Sequence, residues 1–169
     1  MSLLVDANVL IDYCDSDPSV LEVYSRHIQQ IVTPSVVLAE VDQLDSNDCN
    51  QLNIGIIQES VGVLTTAARR GGALSFADHV CLILAQQNGW KCATNDKRLH
   101  RECAQQGIST IWGLRIMLEL FANNQLSKNE ALNVANQMSV SNPFVNARII
   151  QGFENELDNL PVNTVSHLS

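Results

Sequence analysis

Four acidic residues, Asp6, Glu40, Asp78 and Asp96, stand at the ends or starts of stretches that read as secondary-structure elements, each beside an apolar run. A carboxylate held against apolar surface is unfavourable by several kcal/mol, or shifts its pKa, unless a partner neutralises it. If the four meet in space, no local set of lysines is on hand to do so. A divalent cation is the economical partner, and carboxylate-held Mg²⁺ or Mn²⁺ is the usual means of cutting phosphodiesters.

Periodicity and punctuation define the strands and helices on which these acids sit. Residues 2–6 read as a short buried strand ending in Asp6. A helix is expected from Asn8 to Tyr13, and a second from Asp17-Pro18 to about Gln30, Pro suiting the first helical position. Residues 31–33 form a strand closed by Pro34, and Ser35 caps a helix that carries Glu40. Residues 45–53 are polar and turn-prone, and residues 56–70 have apolar positions at helical spacing, ended by Gly71-Gly72. Ser75 caps a helix from Phe76 to about Gln87. A strand over 90–94, a helix over 96–106 and a strand over 108–112 follow.

Strands alternating with helices imply parallel crossovers. The expected fold is a three-layer α/β/α sandwich around a central parallel sheet, spanning residues 1–112. Residues 113–123, 127–138 and 143–157 then read as three helices without a strand, the last two opened by Ser127 and by Asn142-Pro143. They form a C-terminal helical extension over 113–157, and the polar residues 158–169 read as a loose tail.

A chain of 169 residues suits one domain with an adequate core. Its five cysteines are odd in number and lack CxxC spacing, which favours free thiols in a reducing cytoplasm. No signal peptide or transmembrane run is visible. The net charge of −8 argues against a general nucleic-acid-binding protein but not against a nuclease whose acids are neutralised by metal. Arg69, Arg70, Lys91, Lys97, Arg98 and Arg101 cluster in the stretch carrying the last two acids. They line either a phosphate path or a solvated helix face.

In parallel α/β sheets ligands gather at the carboxyl ends of strands, so Asp6 and Asp96 belong to one sheet edge. Each also has a plain reading as a helix N-cap. Asp78 competes with a capping box, Ser75-x-x-Asp78. Glu40 shares a helical stripe with Val36 and Leu44 and has the poorest structural explanation.

These segments carry a family resemblance. Leu-Leu-Val-Asp6-Ala-Asn8-Val-Leu-Ile, Pro34-Ser-Val-Val-Leu-Ala-Glu40-Val, Leu-Ser75-Phe-Ala-Asp78-His-Val-Cys-Leu-Ile-Leu-Ala and Thr94-Asn95-Asp96-Lys-Arg-Leu occur in order. Together they resemble PIN-domain ribonucleases, most closely VapC-like toxins, over residues 2–112. The resemblance implies four acids around one or two Mg²⁺ or Mn²⁺ ions, cleaving RNA. It makes Asn8 and Thr94 supporting residues and puts Asn95 where some members carry a further acid, bearing on the second ion. It also implies a homodimer and a neutralising antitoxin at the acidic pocket.

Other residues read as structural. His79 points about 100° from Asp78 on its helix, and Asp12, Asp15 and Asp17 read as a solvated run. Trp90 and Trp112 read as core. His100, one turn after Asp96, is a weaker candidate for substrate contact. Gly71-Gly72 lacks phosphate-loop spacing. The leading expectation is a metal-dependent endoribonuclease, either a toxin or an RNA-processing enzyme. A catalytically inactive PIN-like binding scaffold is the alternative.

Overall fold

The computed structural model describes residues 1–161. Five short strands build one sheet: β1 (Leu3–Val5), β2 (Ile31–Pro34), β3 (Gly55–Ile57), β4 (Lys91–Ala93) and β5 (Thr110–Ile111). Their order is β3-β2-β1-β4-β5, and every pairing is parallel. Leu3, Leu4 and Val5 are all fully buried, as expected of a central parallel strand covered on both faces. Strand order runs outward in opposite directions from β1 and β4. The crevice at their carboxyl ends is therefore the switch point at which such sheets bind ligands.

The helices are α1 (Ala7–Cys14), α2 (Ser19–His27), α3 (Ser35–Leu38), α4 (Ser46–Gln51), α5 (Val61–Arg69), α6 (Phe76–Asn88), α7 (Lys97–Gln105), α8 (Arg115–Ala122), α9 (Lys128–Ser141) and α10 (Ala147–Asn159). One group packs α1, α2, α8, α9 and α10 together, and another packs α3, α5 and α6. The expected α/β/α sandwich is present. Among the described residues no helix is long and apolar enough to cross a membrane.

Three local expectations are corrected. Ile56 and Ile57 lie in β3, not at the start of a helix, and α5 begins at Val61 behind its Ser60 cap. A pair of β-branched residues is ambiguous in period, and a neighbouring strand settles it. Gly55 allows the close approach to β2, since a Cβ there would stand 3.3 Å from Val32 Cγ1. The polar stretch after residue 45 forms α4, started by a reciprocal capping box between Asp45 and Asp48. The helix expected through Glu40 ends at Leu38 after one turn.

The C-terminal helices pack through Ile116, Met117, Leu120, Ala131 and Ala135, all fully buried. Two hydroxyls join them to the sheet domain: Tyr24 donates to Glu119 Oε2 at 2.6 Å and Tyr13 to the Gly113 carbonyl at 2.7 Å. Asn142 ends α9, and the cap of α10 is Asn146, not Asn142-Pro143. Of the expected tail, Asp158 and Asn159 complete α10, and residues 162–169 lie outside the described part. All five cysteines are free.

Candidate active site

Asp6 directly follows β1 and caps α1. Its Oδ1 accepts the Ala7 N–H at 2.6 Å and its Oδ2 accepts the Thr94 hydroxyl at 2.8 Å. The backbone continues the same seam, the Asp6 N–H donating to the Ala93 carbonyl at 3.0 Å. Thr94 is fully buried, and its Oγ1 also accepts the Asp96 N–H at 3.1 Å. One hydroxyl thus ties the carboxyl ends of β1 and β4.

Burial pushes the Asp6 carboxyl up to about 6, and the negative charges of Asp78 and Asp96 push the same way. The hydrogen bonds from Thr94 and Ala7 oppose the rise without cancelling it. Three of the sequence-predicted acids therefore share one field at the crevice. Glu40 is exposed in the turn after α3. Its charge reaches Cys81, whose thiol is raised first by burial and then by Asp6, Asp78 and Glu40. The charges acting on Asp6 are those of Asp78 and Asp96, and Glu40, exposed in its turn, has no apolar stripe to explain.

The other two acids also serve their helices. Asp78 completes the capping box with Ser75, its Oδ2 accepting the Ser75 N–H at 2.8 Å. Asp96 caps α7, its Oδ1 accepting the Arg98 N–H at 2.7 Å, and the Arg98 guanidinium lies 3.1 Å from Oδ2. Partial burial acts to raise the Asp96 carboxyl, but Arg98 outweighs it and holds the group below its usual range. The cap and site readings of these residues coexist.

Donor type and charge fit a hard divalent cation: the groups are carboxylates, and nothing positive offsets Asp6 itself. Among the described residues, however, no three acidic, His or Cys side chains are gathered closely enough to grip an ion as they stand. The caps at Asp78 and Asp96 and the Arg98 clasp account for this, since each turns carboxylate oxygens towards the chain's own donors.

Among the expected supporting residues, Thr94 lies at the centre of the site and Asn8 is exposed on the first turn of α1. Asn95 turns away. Its Nδ2 donates to Asp12 Oδ2 at 3.0 Å and its Oδ1 accepts the Gly113 N–H at 2.9 Å. Asp12 is not solvated as expected. It is 7% exposed and is held from the other side by Asn142 Nδ2 at 2.9 Å. Sequence reasoning missed this latch because its members are 83 and 130 residues from Asp12.

His100 is likewise internal. One ring nitrogen, Nε2, donates to the Thr94 carbonyl at 2.7 Å, and Nδ1 lies 2.8 Å from Thr110 Oγ1. Its ring stacks on Trp112 at 3.7 Å between centroids. Trp112 is not core: it is 47% exposed. His79 is buried, with neither ring nitrogen hydrogen-bonded.

The expected cations divide. Lys97, Arg98 and Arg101 are exposed on α7, which starts at the site. Arg69 and Arg70 close α5 and are followed within a few residues by the start of α6, near Asp78. Lys91 begins β4 and so lies at the opposite sheet edge.

No protein-family model matches the chain, and no curated protein matches it. Among solved structures it is similar to a PilT N-terminus domain protein from the hyperthermophilic archaeon Sulfolobus solfataricus P2. The match has a TM-score of 0.50 at 10% identity and covers 70% of this chain and 92% of the other. The fold is that of a PilT N-terminus, or PIN, domain.

Proposed function

We propose that the chain is a metal-dependent endoribonuclease, hydrolysing RNA phosphodiester bonds at the β1/β4 crevice. The observation that carries this reading is Asp6. It is a buried carboxylate raised to about 6, at the sheet's ligand-binding edge, with Asp78 and Asp96 adding negative charge around it. Such a group is unfavourable for the fold alone and suits a site built to bring positive charge to a phosphate. The PIN fold of the neighbour is a nuclease-type fold and supports the same class.

Asp6, Glu40, Asp78 and Asp96 would hold one or two Mg²⁺ or Mn²⁺ ions. A bound ion would supply water activation and neutralise charge on the scissile phosphate. Thr94 orients the Asp6 carboxylate and, through the Asp96 N–H, the start of α7. Arg98 is positioned to exchange Asp96 for a substrate phosphate, and Lys97 and Arg101 extend the cationic face. A toxin with an antitoxin partner, working as a homodimer in the cytoplasm, is the finer form of this proposal.

The test is cleavage of single-stranded RNA by the purified protein with and without Mn²⁺, beside Asp6→Asn. Metal-dependent cleavage lost in a folded Asp6→Asn protein supports the enzyme. Equal cleavage by both proteins rejects it. The Arg98–Asp96 pair favours a second reading, a silent binding module whose fourth acid is already neutralised. Absence of cleavage together with no Mn²⁺-induced rise in melting temperature would decide for that module.

A further inference from the structure

Trp112 follows β5, whose partner β4 leads into Thr94 and Asp96, so it stands at the same sheet edge as the acids. A tryptophan in that place ordinarily fills a core; this one is 47% exposed. Its ring is nonetheless held, because His100 stacks on it with an interplanar angle of 26°. His100 is itself fixed at both nitrogens, to the Thr94 carbonyl and the Thr110 hydroxyl. The Thr94 side chain in turn bonds Asp6. An unbroken set of contacts thus runs from the buried carboxylate to an exposed, oriented indole.

The surroundings match one kind of occupant. Lys97 and Arg101 are exposed on α7 one turn apart, and Lys97 also lies one turn before His100. A fixed aromatic surface bordered by cations is how proteins hold single-stranded nucleic acid, the bases stacking and the phosphates meeting the charges. Duplex substrate does not offer a free base face.

We propose that Trp112 is a base-stacking platform that seats a nucleotide of single-stranded RNA beside the carboxylate crevice, with Lys97 and Arg101 on its phosphates. The inference rests on the nuclease reading and adds a contact to the bases to its phosphate contacts. Trp112 is a substrate-positioning residue, and His100 positions Trp112.

The chain has two tryptophans, so Trp90→Phe leaves Trp112 as the only indole emitter. Titration of that protein with oligouridylate in Mg²⁺ should quench its emission saturably, and an RNA duplex should quench it less. In the otherwise wild-type enzyme, Trp112→Leu should raise KM for single-stranded RNA at least about fivefold, the lower end for one stacked base. Its kcat and melting temperature should stay close to wild type, and Trp112→Phe should recover most of the loss. If wild-type protein cleaves RNA but Trp112 emission is unmoved and Trp112→Leu leaves KM unchanged, the platform is rejected and the nuclease stands. If wild-type protein neither binds nor cleaves RNA, both are rejected.

Discussion

The Thr94 hydroxyl donates to Asp6 Oδ2 at 2.8 Å across 88 residues of chain. Both residues are buried, and Thr94 Oγ1 also accepts the Asp96 N–H, so the hydroxyl lowers the pKa of one acid and places the other. Thr94→Val keeps the shape and removes both bonds. Because this hydrogen bond lowers the Asp6 pKa, its loss should carry the group above about 6. If the chain cleaves RNA as proposed, the acid limb of its pH profile should then move to higher pH. The buried oxygen and N–H left without partners should destabilise the fold by about 1–3 kcal/mol each at most. An unmoved acid limb would show that another group controls it.

Asp6 should also oppose stability when no metal is present. Its pKa is 3.8 when unperturbed and about 6 in the folded chain, so the folded state holds the proton more tightly. Stability is therefore lost as pH rises from about 4 through about 6, reaching roughly 3 kcal/mol above that window. Asp6→Asn removes the titration. Metal-free denaturation at pH 7.5 should find the variant more stable than wild type, with the gap closing near pH 4. A variant less stable at both pH values would mean that a buried partner already compensates the charge.

Arg98 competes with any cation for Asp96, since its guanidinium is 3.1 Å from the carboxylate. Arg98→Ala should let the Asp96 carboxyl rise toward its usual range and free its Oδ2, while Oδ1 keeps the backbone N–H of residue 98. At subsaturating Mn²⁺ the melting temperature should increase more in the variant than in wild type. A smaller increase would place Asp96 outside the ion's reach.

Asn95 provides a test of position as opposed to motif. If it were the seat of a further metal ligand, Asn95→Asp would strengthen metal binding. The structure instead sets its Nδ2 3.0 Å from Asp12 Oδ2, where a carboxylate cannot donate and would repel. Asn95→Asp should therefore destabilise the protein by about 1–3 kcal/mol at neutral pH. The loss should diminish as pH falls and one acid of the pair takes a proton to share. Urea denaturation at pH 7.5 and pH 4.5 distinguishes the two outcomes.

The latch between α1 and the end of α9 can be broken from its other side. Asn142→Ala leaves Asp12 Oδ1 without its donor while the second oxygen keeps Asn95. The Asp12 carboxyl, already raised by burial, should rise further, because the lost bond is one that lowers it. Faster amide exchange at the end of α9 than in the body of that helix would report the release. Unchanged exchange would mean that Ala131, Val134, Ala135 and Met138 hold the helix without the latch.

Much of the architecture was legible because it rests on short-range physics. Apolar runs closed by Gly, Pro or capping residues specified β1, α6, α7 and the three C-terminal helices within a few residues. Acids at strand ends identified the sheet edge at which Asp6 and Asp96 stand. β3 was not legible, since three residues of half-buried Gly-Ile-Ile have no period of their own and become a strand only against β2. Glu40 likewise looked helical until its helix ended after one turn.

Which residues carry charge at the ends of which elements follows from local order alone, because caps, periodicity and strand alternation act over a handful of residues. Long-range packing selects which of those charges share a field, turns Asn95 to Asp12 and leaves Trp112 exposed on His100. Those outcomes depend on partners brought together from distant parts of the chain. Burial and hydrogen-bond geometry choose among them, and neither exists until the sheet is assembled.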